Sequence, residues 1–171
     1  MKKKIWPFCL TVFAVLADQI SKAFIVRWPE NSRIKDVFGN EFLEIVHVRN
    51  TAIAFSLGHN LPEAVKPVLF VLLPLGVLGF LVVYYFKTTD FTLLQRWAVA
   101  GILGGGIGNL IDRIFRSAGV VDFISVKMYG ILGFYRWPTF NLADSFVVVF
   151  GILLFITVFK PEARKTGPGG T

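Results

Sequence analysis

Two carboxylates, Asp122 and Asp144, are the residues best suited to do chemistry in this chain. Two carboxyl groups that approach each other cannot both ionise cheaply, so a pair keeps one proton. One member is then a general base toward water and the other an acid, an arrangement that hydrolyses amides without a cofactor. Asp122 stands in Val120-Val121-Asp122-Phe123-Ile124, and the stretch between it and Asp144 is short enough to let the two converge. Taken singly, Asp122 reads equally well as a turn aspartate and Asp144 as a partly buried structural acid. Other chemistries have less to work with. The only histidines, His47 and His59, lack zinc-motif spacing, and Cys9 is the one cysteine, which excludes an internal disulfide and a cysteine-based metal cluster. Ser56, Ser125 and Ser145 have only Lys22 as a buried amine to serve as base, a minor option.

Further polar residues cluster by helical spacing, since residues three or four apart share a face. Asp18 falls with Lys22, Asn109 with Asp112 and Arg113, and Asn141 with Asp144. Asp18 and Lys22 have the acid N-terminal to the base, the better order for an intrahelical pair, and Asp112 can pair with Arg116 in the same way. Asp18, Lys22 and Asp112 therefore also read as structural ion pairs. Arg113 either snorkels or fixes loops from inside the site.

The elements that position these groups are membrane spans. Of 171 residues 54% are hydrophobic and 17% charged, where soluble domains are about a quarter charged. The predicted fold is an all-α polytopic membrane protein, with spans at residues 5–26, 65–86, 93–115 and 140–159, each close to the ~20 residues that cross a bilayer. Residues 1–160 form one domain, and 161–171 a Gly- and Pro-rich tail expected to be flexible. The net charge of +7 does not indicate nucleic acid, because the basic residues are dispersed and many flank the spans. Lys2, Lys3, Lys4, Lys87, Arg96, Lys160, Arg164 and Lys165 place both termini and the second turn in the cytoplasm by the positive-inside rule. The outer connections are then 27–64 and 116–139. The first carries a β-rich run at 42–48 that is expected to pair with 53–57 as a small sheet on the membrane. Trp28, Tyr135 and Trp137 suit an outer aromatic belt. Val15-Leu16-Ala17 resembles a secretory cleavage site, but apolar residues resume beyond it and the segment is read as a span.

With that topology, Asp18, Gln19 and Lys22 lie in the outer half of the first span, Asn109 to Arg116 near the outer end of the third, and Asn141 and Asp144 at the outer start of the fourth. Agreement in depth among three helices points to one polar site, because ionisable groups in hydrocarbon are costly. The inner halves carry no matching groups, which disfavours an ion or proton pathway. Depth alone does not choose Asp122 and Asp144 over Asp112 or Asp18. The glycines Gly101, Gly104, Gly105 and Gly108 stand at the small-xxx-small spacing of close helix packing.

The chain resembles the bacterial lipoprotein signal peptidases, also called type II signal peptidases. The resemblance rests on Asp18-Gln19-Ile20-Ser21-Lys22, Asn50-Thr51-Ala52-Ile53-Ala54-Phe55, Gly105-Gly106-Ile107-Gly108-Asn109-Leu110-Ile111-Asp112-Arg113, Val120-Val121-Asp122-Phe123 and Phe140-Asn141-Leu142-Ala143-Asp144-Ser145, in the family's order. It implies four membrane helices in the bacterial inner membrane and a catalytic dyad of Asp122 and Asp144. It further implies cleavage of prolipoproteins just before the diacylglyceryl-modified cysteine, within membrane lipid. Asn50, Asn109, Arg113 and Asn141 match family positions that position substrate or support the dyad; Asp18, Gln19 and Lys22 look like scaffold. No cofactor, metal or nucleic acid is expected, and the chain is expected to be a monomer. Ala52 stands where the family usually has Gly, which argues against a positive φ at that position.

Overall fold

The computed structural model describes residues 2–51, 62 and 65–159. A short helix α1 (Lys2–Ile5) leads into α2 (Phe8–Ile25), and α3 (Leu73–Lys87), α4 (Leu93–Phe115) and α5 (Leu142–Phe159) are the further α-helices among the described residues. Four helical stretches, Phe8–Ile25, Val68–Lys87, Leu93–Phe115 and Leu142–Phe159, are long and apolar enough to cross a membrane. Local chemistry fixes their ends. Pro74 supplies no N–H in the first turn of α3, and the chain before it, Val68–Leu72, opens into a π-helical turn. Thr92 caps α4 reciprocally with Gln95: Gln95 N–H donates to Thr92 Oγ1 at 3.2 Å, and Thr92 N–H donates to Gln95 Oε1 at 2.9 Å.

Helix α4 is the centre of the bundle, with 56% of its span buried against 28% for α2, the next most buried. Its glycines make this possible by removing side chains from two faces. A Cβ at Gly104 would stand 2.6 Å from the Ala14 Cβ, and one at Gly108 2.7 Å from Asp18 Oδ2, both on α2. A Cβ at Gly101 or Gly105 would collide with Phe150 or with the Ala143 carbonyl, both on α5. The small-residue spacing thus does what its pattern predicts, bringing backbones together. Thr11 Oγ1 donates to the Ala100 carbonyl at 2.7 Å across the α2–α4 contact.

At one end of the bundle, Tyr85, Val99 and Leu103 form a buried apolar cluster with Phe8 against it. Tyr85 Oη donates to the Lys4 carbonyl at 2.7 Å, and the Arg96 guanidinium lies 5.2 Å from the Tyr85 ring centroid.

At the other end sits a three-stranded antiparallel sheet in the order β1 (Ser32–Asp36), β2 (Leu43–Asn50), β3 (Val120–Val126). The run at 42–48 pairs with β1 and with β3 from the second connection, while 53–57, the partner expected from the sequence, lies outside the described residues. The sheet therefore belongs to both connections rather than to the first alone. The reason is in the residues: β3 is rich in β-branched and aromatic side chains, and its Val121 and Phe123 pack on Ile25 at the end of α2. Asp36 closes the β1–β2 turn by accepting from Gly39 N–H at 2.9 Å and Glu41 N–H at 2.8 Å. Beyond β3, Phe123 N–H and Ile124 N–H donate to the Phe140 carbonyl at 3.0 and 2.8 Å, which brings the start of α5 beside the middle of β3.

Candidate active site

Asp122 is a strand residue, not the loop acid its sequence surroundings suggest. It lies on β3 opposite Val48 of β2 and is 2% exposed. Two amides hold its carboxylate: Asn50 Nδ2 donates to Oδ2 at 2.9 Å and Asn141 Nδ2 to Oδ1 at 2.7 Å. Asn50 ends β2 and Asn141 immediately precedes α5, so the strand pairing and the helix start jointly position Asp122.

Asp144 stands in the first turn of α5 and closes a capping box with Asn141. Asp144 N–H donates to Asn141 Oδ1 at 3.0 Å, and Asn141 N–H donates to Asp144 Oδ2 at 3.1 Å. Asn109 of α4 donates from Nδ2 to Asp144 Oδ1 at 2.6 Å. Asn141, fully buried, thus touches both carboxyl-bearing residues with one side chain.

Behind Asn109 and Asn141 lies a buried ionic cluster. Lys22 Nζ is 2.8 Å from Asp18 Oδ2 and 3.0 Å from Asp112 Oδ2, and all three side chains are 0% exposed. The intrahelical Asp18–Lys22 and Asp112–Arg116 pairs follow the sequence spacing, the latter at 2.9 Å. The Lys22–Asp112 bridge between α2 and α4 does not, because spacing along one helix says nothing about the facing one. Gln19 Nε2 joins the cluster by donating to Asp112 Oδ1 at 3.1 Å and to the Gly108 carbonyl at 3.0 Å. Two backbone contacts also escaped sequence reasoning. Ala143 N–H donates to Asp18 Oδ1 at 3.0 Å, so α2 caps the start of α5, and Val121 N–H donates to Asp112 Oδ2 at 3.2 Å, so α4 holds the start of β3. No sequence signal marks these tertiary contacts. Helical spacing puts Asn141 and Asp144 on one helix face but misses that they cap α5, although an Asn three residues before an acid is the signal that marks such a box.

Arg113 places its guanidinium 5.1 Å from the Phe70 ring centroid, and its charge acts on Asp122, Asp144 and Asp112. All ten residues singled out from the sequence therefore gather at the junction of α2, α4, α5 and the sheet. An apolar groove lies at the opposite end of the bundle, between Trp6, Cys9 and Trp97.

Burial pushes the Asp122 carboxyl up to about 6; the bond from Asn50 opposes this, the neighbouring Asp144 adds to it, and the bond from Asn141 opposes it again. The folded protein therefore keeps a proton at Asp122 that the unfolded chain releases near 3.8, so this residue's contribution to stability falls as pH rises through that window. Two pH units correspond to about 3 kcal/mol. Asp122→Asn removes the effect, so its melting temperature relative to the parent should climb between pH 4 and 6 and level off above. A difference that stays flat across that range would refute the assignment.

A bundle of membrane-length helices capped by a small sheet, with two carboxylates hydrogen-bonded to a shared set of asparagines at their junction, has the make-up of a membrane-embedded enzyme. Comparison with known proteins identifies which. The signal peptidase (SPase) II family model matches residues 10–160, and the chain belongs to this family, the lipoprotein signal peptidases. It is 44% identical over 162 residues to the lipoprotein signal peptidase of Treponema pallidum, covering 94% of this chain and 87% of that one. It is 47% identical over 159 residues to that of Treponema denticola, covering 93% and 91%. Among solved structures, a bacterial membrane enzyme determined by the in meso method at 2.3 Å resolution superposes with a TM-score of 0.78 at 27% identity, over 96% of this chain and 94% of that one. A second, at 1.9 Å resolution, gives 0.75 at 28% identity over 90% and 92%.

Proposed function

We propose that this peptidase cleaves bacterial prolipoproteins just before a diacylglyceryl-modified cysteine, with Asp122 and Asp144 as its catalytic pair. The observation that carries this reading is Asn141, whose side chain donates to Asp122 while accepting from the Asp144 backbone. The ionised member of the pair takes a proton from water, and the resulting hydroxide attacks the scissile carbonyl. The protonated member hydrogen-bonds the developing oxyanion and then gives its proton to the leaving amine. Asn50, Asn109 and Asn141 hold the carboxylates by N–H donors, Arg113 supplies positive charge beside them, and Asp18, Gln19, Lys22 and Asp112 form the scaffold behind. No cofactor takes part.

The basic residues Lys4, Lys87 and Arg96 favour a cytoplasmic location for the bundle end that carries Tyr85. Both termini then face the cytoplasm of the bacterial inner membrane, and the pair works at the outer face, where a signal peptide's apolar segment ends. The diacylglyceryl chains stay in lipid during the reaction, and one chain with a single domain over residues 1–160 suffices. Full-length protein in lipid should cleave a diacylglyceryl-modified precursor with a kcat/KM at least about 100-fold above that for the unmodified control. Equal rates would overturn the substrate assignment.

A further inference from the structure

The hydrogen bonds behind the two carboxylates have a direction, and one residue sets it. An ammonium group has three donors and no acceptor. Lys22 Nζ spends its donors on Asp18 Oδ2 at 2.8 Å, Asp112 Oδ2 at 3.0 Å and Asn109 Oδ1 at 3.0 Å. The amide oxygen of Asn109 must therefore face Lys22, since the flipped amide would set donor against donor. Its nitrogen is left to face Asp144 Oδ1 at 2.6 Å. The same Asn109 oxygen accepts from Asn141 Nδ2 at 3.1 Å. Asn141 is locked in turn, because its oxygen accepts from Asp144 N–H at 3.0 Å, and so its nitrogen also reaches Asp122 Oδ1 at 2.7 Å.

The contacts that this chain of bonds sets are consequently N–H donors, Asn109 Nδ2 and Asn141 N–H to Asp144 and Asn141 Nδ2 to Asp122, and Asn50 Nδ2, outside the chain, donates to Asp122 as well. A carboxyl proton needs an acceptor, and these amides offer it none. We propose that Lys22 is a positioning residue that fixes the polarity of this network and so keeps the shared proton of Asp122 and Asp144 on the side that meets water and substrate. The proposal rests on the reading of Asp122 and Asp144 as the catalytic pair.

Asn109→Asp tests it with little change in shape. An ionised carboxylate at 109 keeps the Lys22 contact but turns an acceptor toward Asp144, drawing the shared proton to the buried side. A protonated one presents an O–H donor there, as the asparagine amide does. The titratable groups around the position are Asp18 and Lys22 of α2, Asp112 and Arg113 of α4, Asp122 of β3 and Asp144 of α5, and they are the same in both proteins. In full-length enzyme in lipid, Asn109→Asp should lower kcat about 10- to 100-fold at neutral pH with KM within about threefold. The deficit should shrink as pH is lowered. Lys22→Gln, whose amide can face Asn109 either way, should lose kcat similarly; if it does not fold, Asn109→Asp decides alone. Wild-type kcat in Asn109→Asp at neutral pH, a deficit independent of pH, or wild-type kcat in folded Lys22→Gln would overturn the proposal. Turnover by Asp122→Asn or Asp144→Asn in the same assay would instead overturn the catalytic pair itself.

Discussion

Asp122→Asn and Asp144→Asn should each slow single-turnover cleavage of a lipid-modified precursor by about 10³- to 10⁴-fold, with insertion and folding intact. The substitutions keep shape and remove the ability to exchange a proton at neutral pH. At Asp144 the new amide faces two donors, Asn109 Nδ2 and Asn141 N–H, and can accept from one with its oxygen. At Asp122 it faces Asn50 Nδ2 and Asn141 Nδ2 in the same way. The other donor then meets the new NH2 group and loses its acceptor, a cost of about 1–3 kcal/mol that lowers the melting temperature but leaves the bundle folded. Turnover within tenfold of wild type by either variant would remove that residue from the chemistry.

The second large effect is expected at a residue with no side chain. A Cβ at Gly105 would collide with the Ala143 carbonyl oxygen and stand 2.8 Å from Val147 Cγ2 and 3.1 Å from Val147 N. Two of those three atoms belong to the backbone of α5, so Gly105→Ala can be accommodated only by moving α4 and α5 apart. The cost should be about 2–3 kcal/mol. The displaced segment is the first turn of α5, which carries Asp144 and whose Ala143 N–H donates to Asp18. A shift of about 1 Å there should also lower kcat about 100-fold. Gly151→Ala on the same helix has nothing within 4 Å and should leave melting temperature and rate at or slightly above wild type. Comparable behaviour of the two variants would show that the α4–α5 contact is not what positions Asp144.

Much of this arrangement was legible before any coordinates. Span lengths, the Gly101/Gly105 and Gly104/Gly108 spacing and the intrahelical pairs Asp18–Lys22 and Asp112–Arg116 are local properties, set by periods of three and four residues. The sheet was legible only in half. The strand character of 43–50 shows in its own residues, whereas its partner β3 comes from the far side of two spans, and Asp122 in the middle of that strand looked like a turn acid. Agreement in depth marked the helix-borne members of the candidate site, Asn50 came only with the family resemblance, and the connectivity was not readable. The Lys22–Asp112 bridge, the Asp18 contact with Ala143 N–H and the Asp112 contact with Val121 N–H all cross between elements. Their geometry follows from how α4 packs on its neighbours, which no residue spacing encodes. Under the proposed reading, the contacts of Asp122 and Asp144 differ from those of Asp18 and Asp112. Lys22 pairs ionically with Asp18 and Asp112, and Arg116 with Asp112, while Asp122 and Asp144 are held by neutral amides.

The most direct test of the central claim is the single-turnover rate of the double variant Asp122→Asn/Asp144→Asn beside the two single variants, all in lipid with the same modified precursor. Two carboxylates that share one proton act as a unit, so the double variant should retain about the same residual rate as either single one. Losses that multiply, with the double variant slower by the product of the two single effects, would contradict a shared catalytic pair.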